Sequence, residues 1–150
     1  MSWQHVHGFG SPSRVLPPDS PVITYVSVDT LTNNAYIEWN PTNSQDTYAY
    51  IISQNINGFW EIIDTVYGYN NTSYLNTNSS NVYAQIDMYG IAAFDSCVTA
   101  NPNTSPVGVP HRTILLETAL NICDLSVDLN WNTYSNWNNG VAFYNLYYSR

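Results

Sequence analysis

The chain has 150 residues, of which 44% are hydrophobic and 15% aromatic, while only 9% are charged. This apolar fraction is enough to build a hydrophobic core, which excludes global disorder. The net charge is −8 with only three basic residues, which excludes the basic patches that bind nucleic acids or anionic membrane surfaces. The apolar runs are also shorter than the about 18 residues that a membrane span needs, so we expect no membrane insertion.

The first 21 residues have no apolar periodicity and lack the apolar stretch of a signal peptide. They end in the proline-rich sequence PPDSP (17–21), which resists both helix and central strand. We therefore predict a flexible leader or linker over residues 1–21 and a domain that begins at residue 22.

Alternating apolar and polar residues after this linker predict seven β-strands separated by turn-forming residues. Asn57 and Gly58, between the third and fourth strands, are a strong hairpin signal. No segment has a sustained helical period. Seven short strands at this spacing favour an all-β, immunoglobulin-like sandwich over residues 22–120. The predicted strands are 22–28, 36–39, 48–54, 60–67, 73–75, 83–94 with an interruption at 88–90, and 113–120.

Part of this pattern occurs twice. The short strand that ends in Trp39 recurs near the end of the chain as a strand that ends in Trp131, and each tryptophan is followed by Asn. A polar turn region and a Tyr-rich segment follow in both copies, at 48–53 and 143–149. Strand repeats at an interval of about 100 residues are typical of tandem sandwich modules. We therefore expect residues 121–150 to be the start of a second, incomplete copy.

The first copy resembles a fibronectin type III domain. The resemblance depends on Trp39 at the end of the second strand, on Tyr50 in the third, and on YGIAAFD (89–95), which is similar to the sixth strand of that family. It implies a β-sandwich in which Tyr89 is the tyrosine-corner residue, with its hydroxyl bonded to backbone groups. The expected structural core residues are Trp39, Tyr50, Tyr89 and Phe94 in the first copy and Trp131 in the second.

Several phrases also resemble the fibronectin-like repeats of gliding-motility-associated and type IX-secreted surface proteins of Bacteroidota. They are PVITYVSVD (21–29), IIDTV (62–66) and AAFDSC (92–97). This resemblance implies a parent protein that is exported and lies outside the cell or on its surface. Its export signal is then expected outside these 150 residues.

Cys97 and Cys123 are the two cysteines of the chain. In an exported protein they could form a disulfide, worth about 3 kcal/mol by loop-closure entropy. Two separate thiols are the alternative, because a bridge needs Cα atoms within about 7 Å and these cysteines could lie at opposite ends of a sandwich.

Sequence motifs of enzymes are missing. The chain has no nucleophile elbow, no HExxH zinc motif and no phosphate-binding glycine loop. Its acidic residues are dispersed and lack the spacing of a calcium loop. We expect no catalytic residue, no metal site and no cofactor.

Aromatic residues near the predicted loops are the remaining candidates for a site. Exposed Trp and Tyr rings present flat apolar faces with polar neighbours, and sugar rings stack on such faces. Trp60 and Trp137 are the tentative ligand-binding residues, and packing within the sandwich is the alternative for both.

The sequence thus predicts a noncatalytic structural or interaction module, acting as a spacer or adhesion unit of a larger exported cell-surface protein. One alternative is a carbohydrate-binding module that uses Trp60 and Trp137, and another is an accessory domain of a secreted hydrolase. The expected partners are neighbouring domains of the same polypeptide and an extracellular polysaccharide or protein. The apolar residues of the incomplete second copy also favour self-association.

Overall fold

The computed structural model describes residues 16–78, 84–95, 103–137 and 139–148. These residues form nine β-strands and no helix, which confirms the all-β prediction. A helix long and apolar enough to cross a membrane is therefore absent from these ranges. The strands are β1 Val22–Val28, β2 Ala35–Asn40, β3 Thr47–Ile56, β4 Phe59–Tyr67, β5 Ser73–Asn76, β6 Met88–Asp95, β7 His111–Arg112, β8 Leu116–Asn121 and β9 Ser126–Trp131.

The first seven strands form two antiparallel sheets that pack as a sandwich. One sheet has the order β1-β2-β5 and the other β4-β3-β6-β7. The edge strands β1 and β7 belong to different sheets and run close to each other. One hydrophobic core fills the space between the sheets, with apolar side chains from β1, β2, β3 and β6.

The first five predicted strands are present, with shifts of a few residues at their ends. The sixth was predicted over 83–94 with an interruption at 88–90, and this is wrong in part: β6 begins at Met88 and runs through the expected interruption, and residues 84–87 form no strand. Residue 83 lies outside the described residues. Asn57 and Gly58 form the predicted hairpin turn between β3 and β4, and both have positive φ, 54° and 90°. This is the geometry of the tight turn that matches the twist of two antiparallel strands.

The centre of the core is aromatic. Trp39 and Tyr50 pack edge to face with ring centroids 5.3 Å apart, and Tyr89 is fully buried with them. Burial raises the pKa of Tyr89. Its hydroxyl accepts a hydrogen bond from Asn76 Nδ2 (3.1 Å) and lies 3.4 Å from a carboxylate oxygen of Asp87. Among the residues that the structure describes, the hydroxyl therefore bonds to side chains of β5 and of the residues before β6, and not to the backbone groups expected of a tyrosine corner.

Two residues expected in the core lie elsewhere. In β6, Tyr89, Ile91 and Ala93 point inward, so Phe94 points outward and is only partly buried. Trp131 is 36% exposed, because its strand pairs only with β8 and no second sheet covers it within the described residues. The assignments of Phe94 and Trp131 to a core are corrected accordingly.

The last strand of the sandwich also differs from the prediction. Residues 113–120 were expected to complete the sheet, but the strand beside β6 is the two-residue β7. Thr113 ends it by donating its backbone N–H to the carbonyl of Asp87 (2.9 Å). After Thr113 the chain leaves the sheet, and β8 pairs with β9 in a separate two-stranded sheet.

The β8–β9 hairpin repeats the local structure of the β1–β2 pair. Leu116 of β8 lies opposite Trp131, just as Ile23 of β1 lies opposite Trp39. Tyr144 packs edge to face on Trp131, with ring centroids 5.8 Å apart, which repeats the contact that Trp39 makes with Tyr50 of β3. The repeated sequence therefore produces a repeated pairing and a repeated aromatic contact.

Candidate functional site

The first candidate surface is the side of the four-stranded sheet that faces away from the core, here called the outer face. Side chains alternate along a strand, so Gly90, Ala92 and Phe94 of β6 point to this side. Trp60 and Ile62 of β4 lie opposite residues of β3 that also point outward. The outer face is thus a mainly apolar surface of the sandwich.

Trp60 lies over a glycine on this face. A Cβ atom at Gly90 would come within 3.4 Å of Cζ3 of Trp60 and within 2.6 Å of a methyl carbon of Val107. Gly90 is buried although it points outward, and Ser53 on the adjacent strand is only 7% exposed. The indole therefore rests on the sheet instead of entering the core, and it remains 45% exposed.

Three more aromatic rings form a cluster on the same face. Tyr48 is in contact with Tyr67 and Phe94, with ring centroids 5.5 and 5.8 Å apart and the rings steeply inclined. Tyr48 and Tyr67 are 50% and 58% exposed. Side chains of this kind offer an apolar ring and a polar hydroxyl to a ligand.

Positive charge is scarce near the outer face. The acidic residues of its edge strand β4 point away from it, since Glu61 alternates with Trp60 and Ile62 and Asp64 interacts with Tyr74 of the other sheet. Within the described ranges Arg112 is the single Lys or Arg, and its guanidinium donates to the carbonyl of Thr133 (3.4 Å). A phosphate, a sulfate or an acidic sugar would therefore find little electrostatic attraction here.

The second candidate, Trp137, lies at a joint, the contact of residues 133–137 with strands β1 and β7. Its indole N–H donates to the carbonyl of Thr24 (2.6 Å), and its ring packs on Tyr134 with centroids 4.5 Å apart. Trp137 stays 43% exposed and borders a groove of about 370 Å³ between β1 and β7. Unlike Trp60, it already has a defined partner within the chain.

Tyr134 is the most buried of residues 133–137 in the joint. Its hydroxyl accepts a hydrogen bond from the N–H of Val26 (2.7 Å) and lies 2.9 Å from Nδ1 of His111. Because the oxygen accepts from Val26, its proton is available to a neutral His111. Burial raises the pKa of Tyr134 and lowers the pKa of His111.

Asparagine side chains on either side of Tyr134 add further contacts with the sandwich and with the residues that follow it. Asn132 donates its amide to the carbonyl of Thr113 (3.0 Å) and accepts from the N–H of Leu115 (2.7 Å). Asn136 donates to the carbonyl of Pro110. The segment after the second Trp-Asn is thus tied to the sandwich at several points.

The remaining sequence candidates stay separate from both surfaces. Cys123 is exposed in the turn between β8 and β9, and its predicted partner Cys97 lies outside the described residues. The disulfide stays a prediction. In the parts of the chain that the structure describes, no three His, Cys, Asp or Glu side chains are grouped as a metal site would need.

Sequence reasoning missed the joint and the contact of the Trp60 ring with Gly90. Tyr134 sits in a polar stretch, and nothing in its neighbourhood points to β1, which lies more than a hundred residues away. Gly90 did carry a signal, because a glycine inside an apolar strand often marks a close approach of another group.

The strand orders β1-β2-β5 and β4-β3-β6-β7 define a fibronectin type III-like β-sandwich. A solved fibronectin type III-like protein from Clostridium thermocellum has this fold. It superimposes with a TM-score of 0.50 at 17% identity over 64% of this chain and 91% of its own. Two structures of a domain named FN3tt, one of them a mutant, also match, at TM-scores of 0.46 and 0.49 and at 19% and 16% identity. They cover 66% and 65% of this chain and 97% and 92% of their own.

At these identities the similarity establishes the fold alone. No family model matches the sequence, and no curated protein is significantly similar to it.

Proposed function

We propose that this chain is a noncatalytic structural unit of a tandem array, in which a fibronectin-like sandwich is held at a fixed angle to the module that follows it. The observation that carries the proposal is the joint. Two modules joined by a flexible linker would not need buried hydrogen bonds between them, whereas a spacer that sets distance and orientation does.

The β8–β9 hairpin supports the tandem part of the proposal. Its register, its Trp-Asn ending and the contact between Trp131 and Tyr144 repeat those of the first copy. We place the start of the second module at Leu116, because β8 pairs with β9 and a boundary after residue 120 would divide that pair.

The joint transmits orientation because it contacts two sheets at once. Tyr134 bonds to β1 of one sheet and to His111 of the other sheet. Trp137 bonds to Thr24 of β1, two residues before the bond that Tyr134 makes. A rotation of the second module would break these bonds together and leave buried polar groups without partners, at about 1–3 kcal/mol each.

Nuclear magnetic relaxation of the amide groups tests this arrangement. We expect residues 22–95 and 116–148 to tumble with one rotational correlation time. The double variant Tyr134→Ala, Trp137→Ala should give the second segment a shorter one. Leu31→Ala, at a loop tip where the side chain is 91% exposed, is the control. Independent tumbling of the unmodified protein would refute the fixed joint.

The setting of this array in an exported cell-surface protein is supported by the resemblance to type IX-secreted proteins and by a sequence rich in Asn, Ser, Thr and Tyr. Fractionation of cells that produce the parent protein, followed by protease treatment of intact cells, tests it. Degradation of the module in intact cells is expected, and full protection would contradict a surface location. An accessory role beside a secreted hydrolase predicts instead a catalytic domain in the same polypeptide.

A second function, carbohydrate recognition, is favoured by one observation. Trp60 is exposed on the sheet and rests on a glycine that leaves room for it, so its ring is oriented without a ligand. Preorganised aromatic rings of this kind lower the entropy cost of binding.

A further inference from the structure

We propose that the ligand of the outer face is a linear, uncharged polysaccharide that lies along β6 and contacts two aromatic stations, Trp60 at one end and the pair Tyr48 and Tyr67 at the other. The proposal rests on the carbohydrate-recognition function and names its site and ligand class.

The spacing of the stations calls for an extended ligand. Trp60 lies over Gly90, and Phe94, which contacts Tyr48, is four residues further along the same strand and points to the same side. A strand rises about 3.3 Å per residue, so the stations are about 13 Å apart. A monosaccharide can occupy one of them, whereas a short sugar chain reaches both.

The composition of the surface selects an uncharged chain. The exposed parts of the two stations are aromatic rings and phenol hydroxyls, with no charged group among them. With a net charge of −8 and Arg112 turned toward Thr133, the protein repels polyuronates and sulfated glycans. Sugar rings with apolar C–H faces and neutral hydroxyl groups suit this surface.

The ring of Trp60 is held in place before any ligand arrives. One side of it lies against Gly90, and Val107 packs above the same glycine, so a larger residue at position 90 would displace both. The position of the ring is therefore set by the folded sheet together with Val107 of the segment between β6 and β7.

Affinity electrophoresis of the 150-residue chain in gels containing glucomannan, xylan, hydroxyethylcellulose or polygalacturonate tests the ligand class. We expect retardation by at least one of the three neutral polymers and none by polygalacturonate. Calorimetric titration with di- and hexasaccharides of the retained polymer then tests the spacing, and the hexasaccharide should bind at least about tenfold more tightly.

Substitutions locate the site. Trp60→Ala and Tyr67→Ala should each weaken hexasaccharide binding by about tenfold, as expected for the loss of one stacked ring. Phe59→Ala is the matched control, because Phe59 precedes Trp60, is 74% exposed and points to the other side of β4. It should bind like the unmodified protein. Circular dichroism melting checks that each variant is folded.

The outcomes separate this proposal from the spacer function. Failure of the folded protein to bind any neutral polymer overturns the ligand and leaves the relaxation result on the joint untouched. Binding that survives Trp60→Ala and Tyr67→Ala overturns the site. Equal affinity for di- and hexasaccharides overturns the two stations. Stronger retardation by polygalacturonate than by the neutral polymers overturns the charge argument.

Discussion

Removing one hydroxyl group, with Tyr134→Phe, isolates the central contact of the joint. The substitution keeps the ring between β1 and β7 but takes away the acceptor of the Val26 N–H. Val26 is 3% exposed and Tyr134 8%, so water has little access to replace the lost oxygen. A buried donor without a partner costs about 1–3 kcal/mol. Since 1.4 kcal/mol is a factor of ten, local protection of the Val26 amide should fall by about 5- to 150-fold.

Hydrogen exchange of the Val26 amide, followed by NMR, measures this directly, and urea unfolding gives the accompanying loss of stability. Tyr36→Phe is the matched control, because its hydroxyl lies 3.4 Å from a carboxylate oxygen of Glu38 in a partly exposed place on the next strand. We expect that control to change stability by less than about 0.5 kcal/mol. An unchanged exchange rate at Val26 in Tyr134→Phe would refute the assignment of Tyr134 as its partner.

Three further results are expected. Burial lowers the pKa of His111 in the folded protein, so the unfolded chain binds this proton first as the pH falls. The stability contributed by neutral His111 is complete above about pH 7 and is lost from there down to the folded-state pKa. Between about pH 5 and 7.5, the melting temperature of His111→Gln should change less with pH than that of the unmodified protein. An equal change in both proteins would contradict this. Gly108→Ala should destabilise the fold by about 1–3 kcal/mol, because its Cβ would lie 2.2 Å from the carbonyl oxygen of Pro21. Unchanged urea unfolding would show that these segments separate easily. Leu120 and Val127 lie opposite each other in the β8–β9 hairpin and are 70% and 54% exposed. We expect concentration-dependent self-association in light scattering that Leu120→Glu reduces, and a monomer at every concentration would count against it.

Local patterns in the sequence were enough to predict most of the sandwich. Alternation located β1 to β5, and Asn57 with Gly58 fixed the turn between β3 and β4. Phe94 was wrongly predicted to lie in the core. It is an odd number of residues from the inward-pointing Tyr89, so alternation along the strand already put its side chain on the other side. The apolar run after Thr113 was assigned to the wrong sheet, because alternation identifies a strand without identifying the strand it pairs with.

The candidate sites were harder to predict than the strands. Trp60 and Trp137 look alike in the sequence, since both are tryptophans beside polar loops. They differ in their contacts with residues far along the chain. Gly90 lies beneath the ring of Trp60, whereas the indole nitrogen of Trp137 bonds to the carbonyl of Thr24. Such contacts carry no periodic signal, so only the folded arrangement separates an available ring from an engaged one.

Apart from the side chains of His111 and Arg112, the joint bonds to the sandwich through main-chain atoms. Tyr134 bonds to the nitrogen of Val26, Trp137 to the oxygen of Thr24, and Asn136 to the oxygen of Pro110. Every residue type presents the same carbonyl, and every one except proline the same N–H. Strand β1 can therefore change its side chains during evolution without losing these bonds, as long as His111 is kept on β7. A preceding sandwich with a different sequence but the same edge geometry could be spliced in front of residues 116–148, which makes this kind of connection suited to the shuffling of modules.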